Sequence, residues 1–426
     1  MNHSLLTGKL VAKVAKFKGR VGSTWPGHIA LKADKAFIRK AIAKNQHLKI
    51  VLVAGTNGKT TTTKALAHIL DLNEVSVITN NAGANLLNGL ASTLVLKSDL
   101  RGNIQEKCLI FEVDENSLPL VLDEIPNPSA IILLNLFRDQ LDRYGEVNST
   151  AEKWKKALRK LNDITLVVAN ADDPQIAYIT SFATNKLYFT IDNNFKKQQV
   201  LSHAVDSTTC PNCNNPLIYS AISYSHLGNY RCSSCDFVSP KAKQYIFTTS
   251  LLGTYNIYNL TSAILVADKI FGVLPFASIQ TLKNFKPAFG RQEIVEVEGK
   301  RVMFLLSKNP TGFNESLKVA IENKSSSLLL LLNDRIPDGR DISWIWDVDF
   351  EILQESNLKI FVSGDRAYDM ANRLLFANVT HEVFENFEEA YKESLKQTPA
   401  LKTLTILPTY SAMLEVRKLI SGKAIL

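Results

Sequence analysis

The sequence lacks any long apolar run, and this absence excludes several classes of protein. No segment reaches the ~20 consecutive apolar residues that a helix needs to cross a bilayer. The first residues also lack the continuous apolar core of a secretory signal peptide. We therefore expect a cytoplasmic protein, whose contact with a membrane would be peripheral, at the inner membrane face.

Cysteine is scarce, with five residues in 426, but four of the five stand in two close pairs. The pairs are Cys210-Pro-Asn-Cys213 and Cys232-Ser-Ser-Cys235, with eighteen residues between them. Four thiolates on two short turns predict a tetrahedral zinc site, structural because no position is left open for water. A disulfide framework would need an oxidising compartment, which nothing in the sequence indicates. The fifth, Cys108, begins an apolar stretch and is predicted to be buried.

Acidic residues are outnumbered, 41 against 49 Lys and Arg, so the net charge is +8. Part of the excess lies near the start, where basic residues alternate with apolar ones: Lys9, Lys13, Lys16, Lys18 and Arg20. This segment is either a basic amphipathic arm for an anionic surface or, as we favour, a first helix with a solvated basic face. Nucleic-acid binding has little further support in the charge pattern.

A chain of 426 residues predicts two or three domains. Apolar runs alternate with helix-like segments along most of it, which predicts an α/β fold with a parallel sheet covered on both faces. We place a basic leader at residues 1–40, a central ATP-binding domain at 41–292 and a smaller C-terminal α/β domain at 293–426. The four-cysteine element interrupts the central domain between about residues 199 and 243.

One glycine-rich segment carries the clearest chemistry: Gly55, Thr56, Asn57, Gly58, Lys59, Thr60 and Thr61. It follows a predicted strand and opens a predicted helix, so its backbone N–H groups can cradle phosphates. Lys59 can reach the outer phosphates and Thr60 can hold Mg2+, which predicts ATP as the ligand. The usual phosphate loop has a glycine where this chain has Val53, so this loop is a shorter type.

Carboxylates follow the next strong strand, at the sheet edge where the phosphate loop is expected. Glu112 is the candidate magnesium ligand, because Mg2+ prefers hard oxygen ligands. Asp114 and Glu115 are equally well explained as the start of a helix. Residues 135–144 follow a further strand and should form another loop at this edge.

Two later segments place polar groups where a ligand could be bound. Asn256 and Asn259 share one face of a predicted helix start, where they could contact a base or phosphate, although Asn256 could also be an N-cap. Arg291 follows Gly290 at the predicted domain junction, where its guanidinium could bind a γ-phosphate.

Together these residues resemble the Mur ligase superfamily, which includes the ligases of peptidoglycan stem peptides and folylpolyglutamate synthase. The short loop at Gly55, the strand-end Glu112, the pair of asparagines and the Gly290-Arg291 junction match in type and order. Within the superfamily the chain most resembles the MurT family, the synthetase subunits of lipid II isoglutaminyl synthase. The four-cysteine insertion and the segments 80–85 and 333–350 carry this narrower resemblance.

The resemblance implies an ATP-dependent carbon–nitrogen ligase. The α-carboxylate of D-glutamate in the lipid II stem peptide would be phosphorylated, and ammonia would displace the phosphate to leave D-isoglutamine. Lys59, Arg291 and Mg2+ would offset charge on the transferring phosphoryl group, with Glu112 as a magnesium ligand.

Ammonia would come from a separate glutaminase, because four cysteines are assigned to zinc and Cys108 lies in an apolar strand. The resemblance implies a GatD-like partner in a heterodimer. It also implies that an aspartate of this chain orients the partner's catalytic histidine, with Asp349 as our choice and Asp347 in reserve. The tryptophan-rich segment around them suits a partner surface; an acidic turn with core tryptophans is the alternative.

The chain also departs from the amino-acid-adding Mur ligases. They carry Asp-His where this chain has Asp139-Gln140, and a carbamylated lysine where it has Ala157. Lys155 and Lys156 are out of phase with that position, which puts the family's second metal site in doubt. We hold as a hypothesis that the change reflects ammonia as the nucleophile.

Two alternatives remain open at this point. The first is a stand-alone Mur-type or folylpolyglutamate-type ligase that adds an amino acid. The second is an ATPase that binds nucleic acid through its zinc ribbon. The only Lys, Arg, Asp or Glu between Cys213 and Cys232 is Arg231, which is little charge for a nucleic-acid reader.

Overall fold

The computed structural model describes residues 2–17, 24–80, 84–139, 147–197, 205–286 and 291–421. Within these residues the chain forms two six-stranded sheets and a two-stranded hairpin. None of the described helices is long and apolar enough to cross a membrane.

The first sheet is entirely parallel, with the strand order β2-β3-β1-β4-β5-β6. Its strands are β1 (Lys49–Ala54), β2 (Val77–Thr79), β3 (Cys108–Val113), β4 (Ala130–Leu133), β5 (Leu166–Asn170) and β6 (Lys186–Phe189). Helices cover both faces, so the central strands are buried on both sides and read as continuous apolar runs. The predicted parallel α/β architecture is confirmed.

The helices of this first unit are α1 (Asn2–Phe17), α2 (Trp25–Ala33), α3 (Phe37–Lys44), α4 (Lys59–Asp71), α5 (Leu87–Lys97), α6 (Leu118–Glu124), α7 (Val147–Leu158), α8 (Pro174–Thr180), α9 (Thr254–Phe271) and α10 (Pro275–Leu282). The first two lie in the predicted leader, and α3 begins there and ends at Lys44. They contribute Leu5, Ala30, Phe37 and Ile38 to the apolar core beside the first sheet. These residues are therefore a packed part of the first unit.

The second sheet has the order β13-β12-β11-β14-β10-β9, and only β9 is antiparallel to its neighbour. Its strands are β9 (Arg291–Val297), β10 (Lys300–Leu305), β11 (Ser327–Leu331), β12 (Lys359–Ser363), β13 (Glu382–Val383) and β14 (Thr403–Pro408). Its helices are α11 (Pro310–Glu322), α12 (Ala367–Phe376), α13 (Phe387–Gln397) and α14 (Tyr410–Ser421). It begins at Arg291, close to the predicted boundary.

The cysteine-rich insertion forms the antiparallel hairpin of β7 (Leu217–Tyr224) and β8 (Leu227–Cys232). The chain returns to the first sheet at Lys243, which bridges to Phe189 at the end of β6. The insertion is thus a small unit attached at the β6 edge.

Candidate active site

The phosphate loop joins β1 to α4 in a conformation that its two glycines require. Gly55 and Gly58 have φ angles of +148° and +93°, which residues with a Cβ rarely adopt. A Cβ at Gly58 would lie 2.1 Å from Oδ1 of Asn259 in α9. The loop therefore packs directly on the start of α9, and only glycine permits that approach.

Lys59 begins α4, and its side chain folds back into the loop. Its ammonium group donates hydrogen bonds to the carbonyl oxygens of Gly55 and Thr56. It also forms a buried ion pair with Glu115, with 3.2 Å between Nζ and Oε2. Burial raises the pKa of Glu115, but the charges of Lys59 and Lys308 outweigh this and leave the pKa below its ordinary value. Glu115 is thus the counter-ion of the loop lysine, a role its sequence position did not reveal.

Thr60, in the first turn of α4, contacts Glu112, near the end of β3. The Thr60 hydroxyl donates a hydrogen bond of 2.8 Å to Oε2 of Glu112. Glu112 is paired with Val53 of β1 in the sheet, and Asn80 holds its backbone through two hydrogen bonds. A hydroxyl and a carboxylate are oxygen donors that Mg2+ prefers, so the pair fits this ion. Their assignment as magnesium ligands stays a prediction.

The loop after β4 holds the phosphate loop from the other side. The side-chain amide of Asn135 accepts from the N–H of Asn57 over 2.8 Å and donates to its carbonyl oxygen over 3.1 Å. The Thr56 hydroxyl accepts from the N–H of Phe137 over 3.0 Å. These contacts preorganise the loop, so less conformational entropy is lost when a ligand binds.

Asn256 and Asn259 lie in the first turns of α9 and contact each other. Nδ2 of Asn259 donates to Oδ1 of Asn256 over 3.2 Å, and Nδ2 of Asn256 donates to the carbonyl of Leu252 over 2.8 Å. The N-cap position is Gly253, so Asn256 is not the cap that the local sequence also allowed. Both asparagines line a cavity between the two sheet-containing units.

The C-terminal domain contributes the loop of residues 307–309, between β10 and α11, to the lining of this cavity. Nδ2 of Asn309 donates to Oδ1 of Asn57 over 3.2 Å, and Oδ1 of Asn309 caps α11 at the N–H of Gly312. Lys308 forms an ion pair with the buried Asp139. Lys308 and Asn309 are not among the site residues that the sequence predicts. In the sequence, these residues form a polar segment between a predicted strand and Pro310. This segment lacks the glycines that marked the phosphate loop.

The cavity is lined by both polar and apolar residues. Polar lining residues come from the phosphate loop, the start of α9 and the loop after β10: Asn57, Gly58, Thr61, Asn256, Asn259, Ser307, Lys308 and Asn309. Leu251, Tyr224 and Tyr255 also line it. A mixed lining of this kind suits a ligand that combines phosphates with a flat base.

The remaining predicted phosphate ligand is Arg291. Its backbone begins β9 opposite Leu305, but its side chain, like the whole of Gly290, lies outside the described residues. The role of Arg291 stays a prediction.

Helix α7 contains Ala157, the position that aligns with the carbamylated lysine of the amino-acid-adding ligases. Its neighbouring lysine does not take over that position. Lys155 donates to the hydroxyl of Tyr178 over 2.7 Å and lies 3.9 Å from the ring centroid, so it faces α8, as its spacing predicted. Thr150, by contrast, shares a small cavity with Asp139. Gln140 lies outside the described residues. In the described part of α7, no lysine reaches that cavity.

The four cysteines of the insertion converge on one point. Their sulfur atoms all lie within 4.8 Å of one another, with 3.7 Å between Cys210 and Cys235 and 3.4 Å between Cys213 and Cys232. Tetrahedral Zn–S bonds of ~2.3 Å place sulfurs ~3.8 Å apart, so the cluster fits a zinc ion. Hydrogen bonds from Asn215 lower the pKa of the Cys213 thiol to about 6, whereas burial raises the pKa of the Cys210 thiol to about 12.

The insertion packs against the loop after β4. His226, at the hairpin turn, is fully buried against Phe137, with 4.9 Å between ring centroids, and its Nε2 lies 3.6 Å from Asp173. The carboxylate of Asp206 accepts hydrogen bonds from the backbone N–H and the guanidinium of Arg138. The insertion that carries the cysteine cluster therefore supports a loop that touches the phosphate loop.

The two candidate aspartates for the partner site have different surroundings. Oδ2 of Asp349 accepts from Nδ2 of Asn314 over 2.8 Å, and its backbone N–H donates to Oδ1 of the same asparagine. Asp347 instead forms an ion pair with Arg138, at 3.1 Å. The structure thus holds Asp349 in a fixed orientation on the C-terminal domain and uses Asp347 to join the domains.

The two tryptophans of this segment also differ. Trp344 packs on Phe313 in the C-terminal core. Trp346 is 47% exposed and contacts Phe376, which is 69% exposed. Trp344 is therefore partly buried against the C-terminal core, while Trp346 and Phe376 form an exposed aromatic pair.

Known proteins resemble this chain along nearly its whole length. Models of the Mur ligase middle domain and of the MurT ligase C-terminal region match residues 53–267 and 306–413. The MurT subunit of lipid II isoglutaminyl synthase (glutamine-hydrolyzing) from Staphylococcus aureus (strain COL) is 32% identical over 429 residues, 95% of this chain and 94% of that protein. The same subunit from Streptococcus pneumoniae (strain ATCC BAA-255 / R6) is 33% identical and covers 99% of this chain and 97% of its own. The chain belongs to the MurT family.

Membership of the MurT family confirms the predicted resemblance and the prediction of an ATP-dependent ligase. Solved structures agree on the fold. A pseudomurein peptide ligase type C from Methanothermus fervidus has a TM-score of 0.67 at 20% identity, covering 88% of this chain and 78% of its own. The MurF ligase from Thermotoga maritima in complex with ADP has a TM-score of 0.64 at 14% identity, covering 91% and 82%. This MurT family member therefore has the Mur ligase fold.

Substitution of Gly58 by alanine should weaken ATP binding more than tenfold, because the new Cβ would collide with Asn259. Gly272→Ala is the matched control: Gly272 has a φ of +72°, but a Cβ added there would meet no neighbouring atom within 4 Å. It should lower stability by about 1 kcal/mol through backbone strain and leave ATP affinity unchanged. Calorimetric titration with ATP and thermal unfolding measure both effects. Equal ATP affinity of Gly58→Ala and the parent protein would contradict the packing argument.

Removal of the metal should open the insertion before the rest of the protein, because binding of ~10 kcal/mol or more stabilises a unit with a very small core. Purified protein should contain about one equivalent of zinc by mass spectrometry. Cys213→Ser should lose it and become sensitive to protease between residues 205 and 243. Cys108→Ala, a substitution outside the cluster, should keep the zinc. Unchanged proteolysis of the insertion after chelation would count against a structural metal.

Proposed function

We propose that this chain is the ATP-dependent synthetase subunit of a glutamine amidotransferase. Its reaction converts the α-carboxylate of D-glutamate in the lipid II stem peptide to the amide of D-isoglutamine. The observation that carries the proposal is the likeness to MurT subunits over nearly the whole chain. The candidate site supports it, because a phosphate loop, a pair of oxygen donors and a domain cavity are what carboxylate activation by ATP needs.

The chemistry follows from the weakness of a carboxylate as an electrophile. Its oxygen attacks the γ-phosphorus of ATP. ADP departs, and the substrate carboxylate becomes an acyl phosphate. Ammonia then attacks the carbonyl carbon and loses a proton as phosphate departs. Lys59 and Arg291 offset charge on the phosphoryl group, and Lys308 offers a further cation at the same cavity. Thr60 and Glu112 would hold Mg2+, which would neutralise phosphate charge.

Ammonia must be supplied from outside the chain, because none of its cysteines suits glutamine hydrolysis. Cys108 is fully buried in β3, and burial raises the pKa of its thiol to about 12. The other four lie together in the insertion. The partner is therefore a glutaminase with its own cysteine nucleophile. This GatD-like subunit forms a heterodimer with the chain.

The partner surface lies around Asp349 and the exposed pair of Trp346 and Phe376. Exposed aromatic residues are frequent anchors of protein interfaces. Asp349 is held by Asn314, so its carboxylate has a defined direction from which to orient a histidine of the partner. Asp347 is the reserve for this role.

We further infer that zinc is the metal of the cysteine cluster and that its role is structural. The protein acts in the cytoplasm, and its lipid-linked substrate brings it to the inner membrane face. Neither alternative function gains support from the described residues. A ligase that adds an amino acid would call for the lysine that α7 does not present, and a nucleic-acid reader would call for more charge on the hairpin of β7 and β8.

Co-purification with a glutaminase-type neighbour, followed by assay with lipid II, tests the proposal. Amidation should require ATP, glutamine and both subunits, and the isolated chain should use ammonium but not glutamine. Mass spectrometry detects the product, because an amide replaces a carboxylic acid. Glutamine-dependent amidation by this chain without a partner would overturn the two-subunit assignment.

Asp349→Asn should abolish amidation driven by glutamine and spare amidation driven by added ammonium, since only the partner's histidine loses its carboxylate. Asparagine can still accept the hydrogen bond from Asn314, so the fold should be kept. Asp369→Asn, which alters a surface ion pair of α12, is the control and should support both reactions. Equal loss of both reactions in Asp349→Asn would refute its role, and selective loss in Asp347→Asn would transfer the role to that residue.

A further inference from the structure

The first helix, α1, presents an apolar stripe to solvent. Leu6, Leu10 and Val14 recur every four residues and are 50%, 64% and 49% exposed. This spacing places them on one face of the helix. The opposite face is packed: Leu5 is 1% exposed, and Gly8 lies against α2 and α5. The stripe is therefore not part of the core that holds α1 in place.

The helix is mounted firmly on the first unit. The ammonium group of Lys9 donates hydrogen bonds to the carbonyl oxygens of Val95 and Ser98 at the end of α5, over 2.8 and 2.5 Å. Leu96 and Leu100, at the same end of α5, are 51% and 70% exposed. The exposed stripe thus belongs to a fixed surface.

The N-terminal sequence that contains this helix carries charge of one sign, although Asp99 of the neighbouring segment lies near Lys9. Residues 1–33 contain six Lys and Arg and no Asp or Glu, and Asp34 is the first acidic residue of the chain. On α1 itself Lys13 is exposed and lies at the edge of the stripe, between Leu10 and Val14 in sequence. An apolar stripe edged by lysine is typical of helices that lie on anionic lipid surfaces.

We propose that α1 lies on the surface of an anionic phospholipid bilayer, with Leu6, Leu10 and Val14 inserted among the head groups and Lys13 near the lipid phosphates. The proposal rests on the proposed function in that a lipid-linked substrate requires the active site to work at a membrane. It differs from the sequence-based preference for a solvated basic face, because the exposed face of α1 is apolar as well as basic.

A second copy of the chain is a poorer occupant of this surface. A stable protein interface buries ~800 Å² on each partner, far more than three partly exposed side chains offer. Two copies would also bring the same basic segments together without an acidic residue in either. A bilayer supplies both the apolar depth and the negative charge.

Co-sedimentation with unilamellar vesicles tests the proposal without ATP or substrate, so its outcome does not depend on finding amidation activity. The full chain should bind vesicles of equal parts phosphatidylglycerol and phosphatidylcholine, and bind pure phosphatidylcholine much more weakly. The triple variant Leu6→Ser, Leu10→Ser, Val14→Ser should lose more than tenfold in affinity. Lys13→Ala should lose about fivefold, an effect that added salt should reduce.

The matched control replaces two leucines and a valine that are exposed elsewhere, Leu274→Ser, Leu401→Ser and Val238→Ser. It should bind vesicles like the parent chain, and thermal unfolding checks that both triple variants fold. If the α1 triple variant does not fold, Lys13→Glu replaces it and should abolish the anionic preference. Equal vesicle binding by parent and α1 variants, absence of binding by the parent, or binding that ignores lipid charge would each overturn the proposal.

Discussion

The buried ammonium group of Lys59 is the constraint on which the rest of the active site depends. A buried charge is costly unless it is paired, and Glu115 together with two loop carbonyls supplies the pairing. Glu115 also feels the charge of Lys308, whose own partner is Asp139. Two lysines and two carboxylates thus form one balanced network that runs from the phosphate loop into the C-terminal domain. Loss of Lys59 or of Glu115 leaves the charge of the other buried and uncompensated, which costs about 3–5 kcal/mol in comparable pairs.

The loop after β4 contacts the phosphate loop, the cysteine-rich insertion and the C-terminal domain. Arg138 binds Asp206 of the insertion region and Asp347 of the C-terminal domain, while Asn135 holds the phosphate loop. The cysteine cluster does not line the domain cavity, yet its unit rests on this loop through His226. The insertion can therefore influence the candidate site by keeping a supporting loop in place.

Much of this arrangement could be predicted because local patterns carried it. Buried parallel strands read as apolar runs, glycines marked the phosphate loop, and paired cysteines marked the four-cysteine cluster. What could not be predicted depends on tertiary contact. Glu115 looked like the start of a helix until Lys59 was seen beside it, and Lys308 had no local signature. The first 40 residues were predicted to be a leader because basic residues dominate their sequence pattern. The few apolar side chains among them that join the core could not be told apart from that pattern.

The amide groups of Asn57 and Asn309 meet across the cavity although 252 positions separate them in the chain. Each amide offers the other a donor and an acceptor, so a change at one position alters the hydrogen bonding of the other. The two domains, although each has its own core, therefore cannot change independently at the point where they touch: a substitution at one amide keeps the contact only if the other position still offers a matching donor and acceptor.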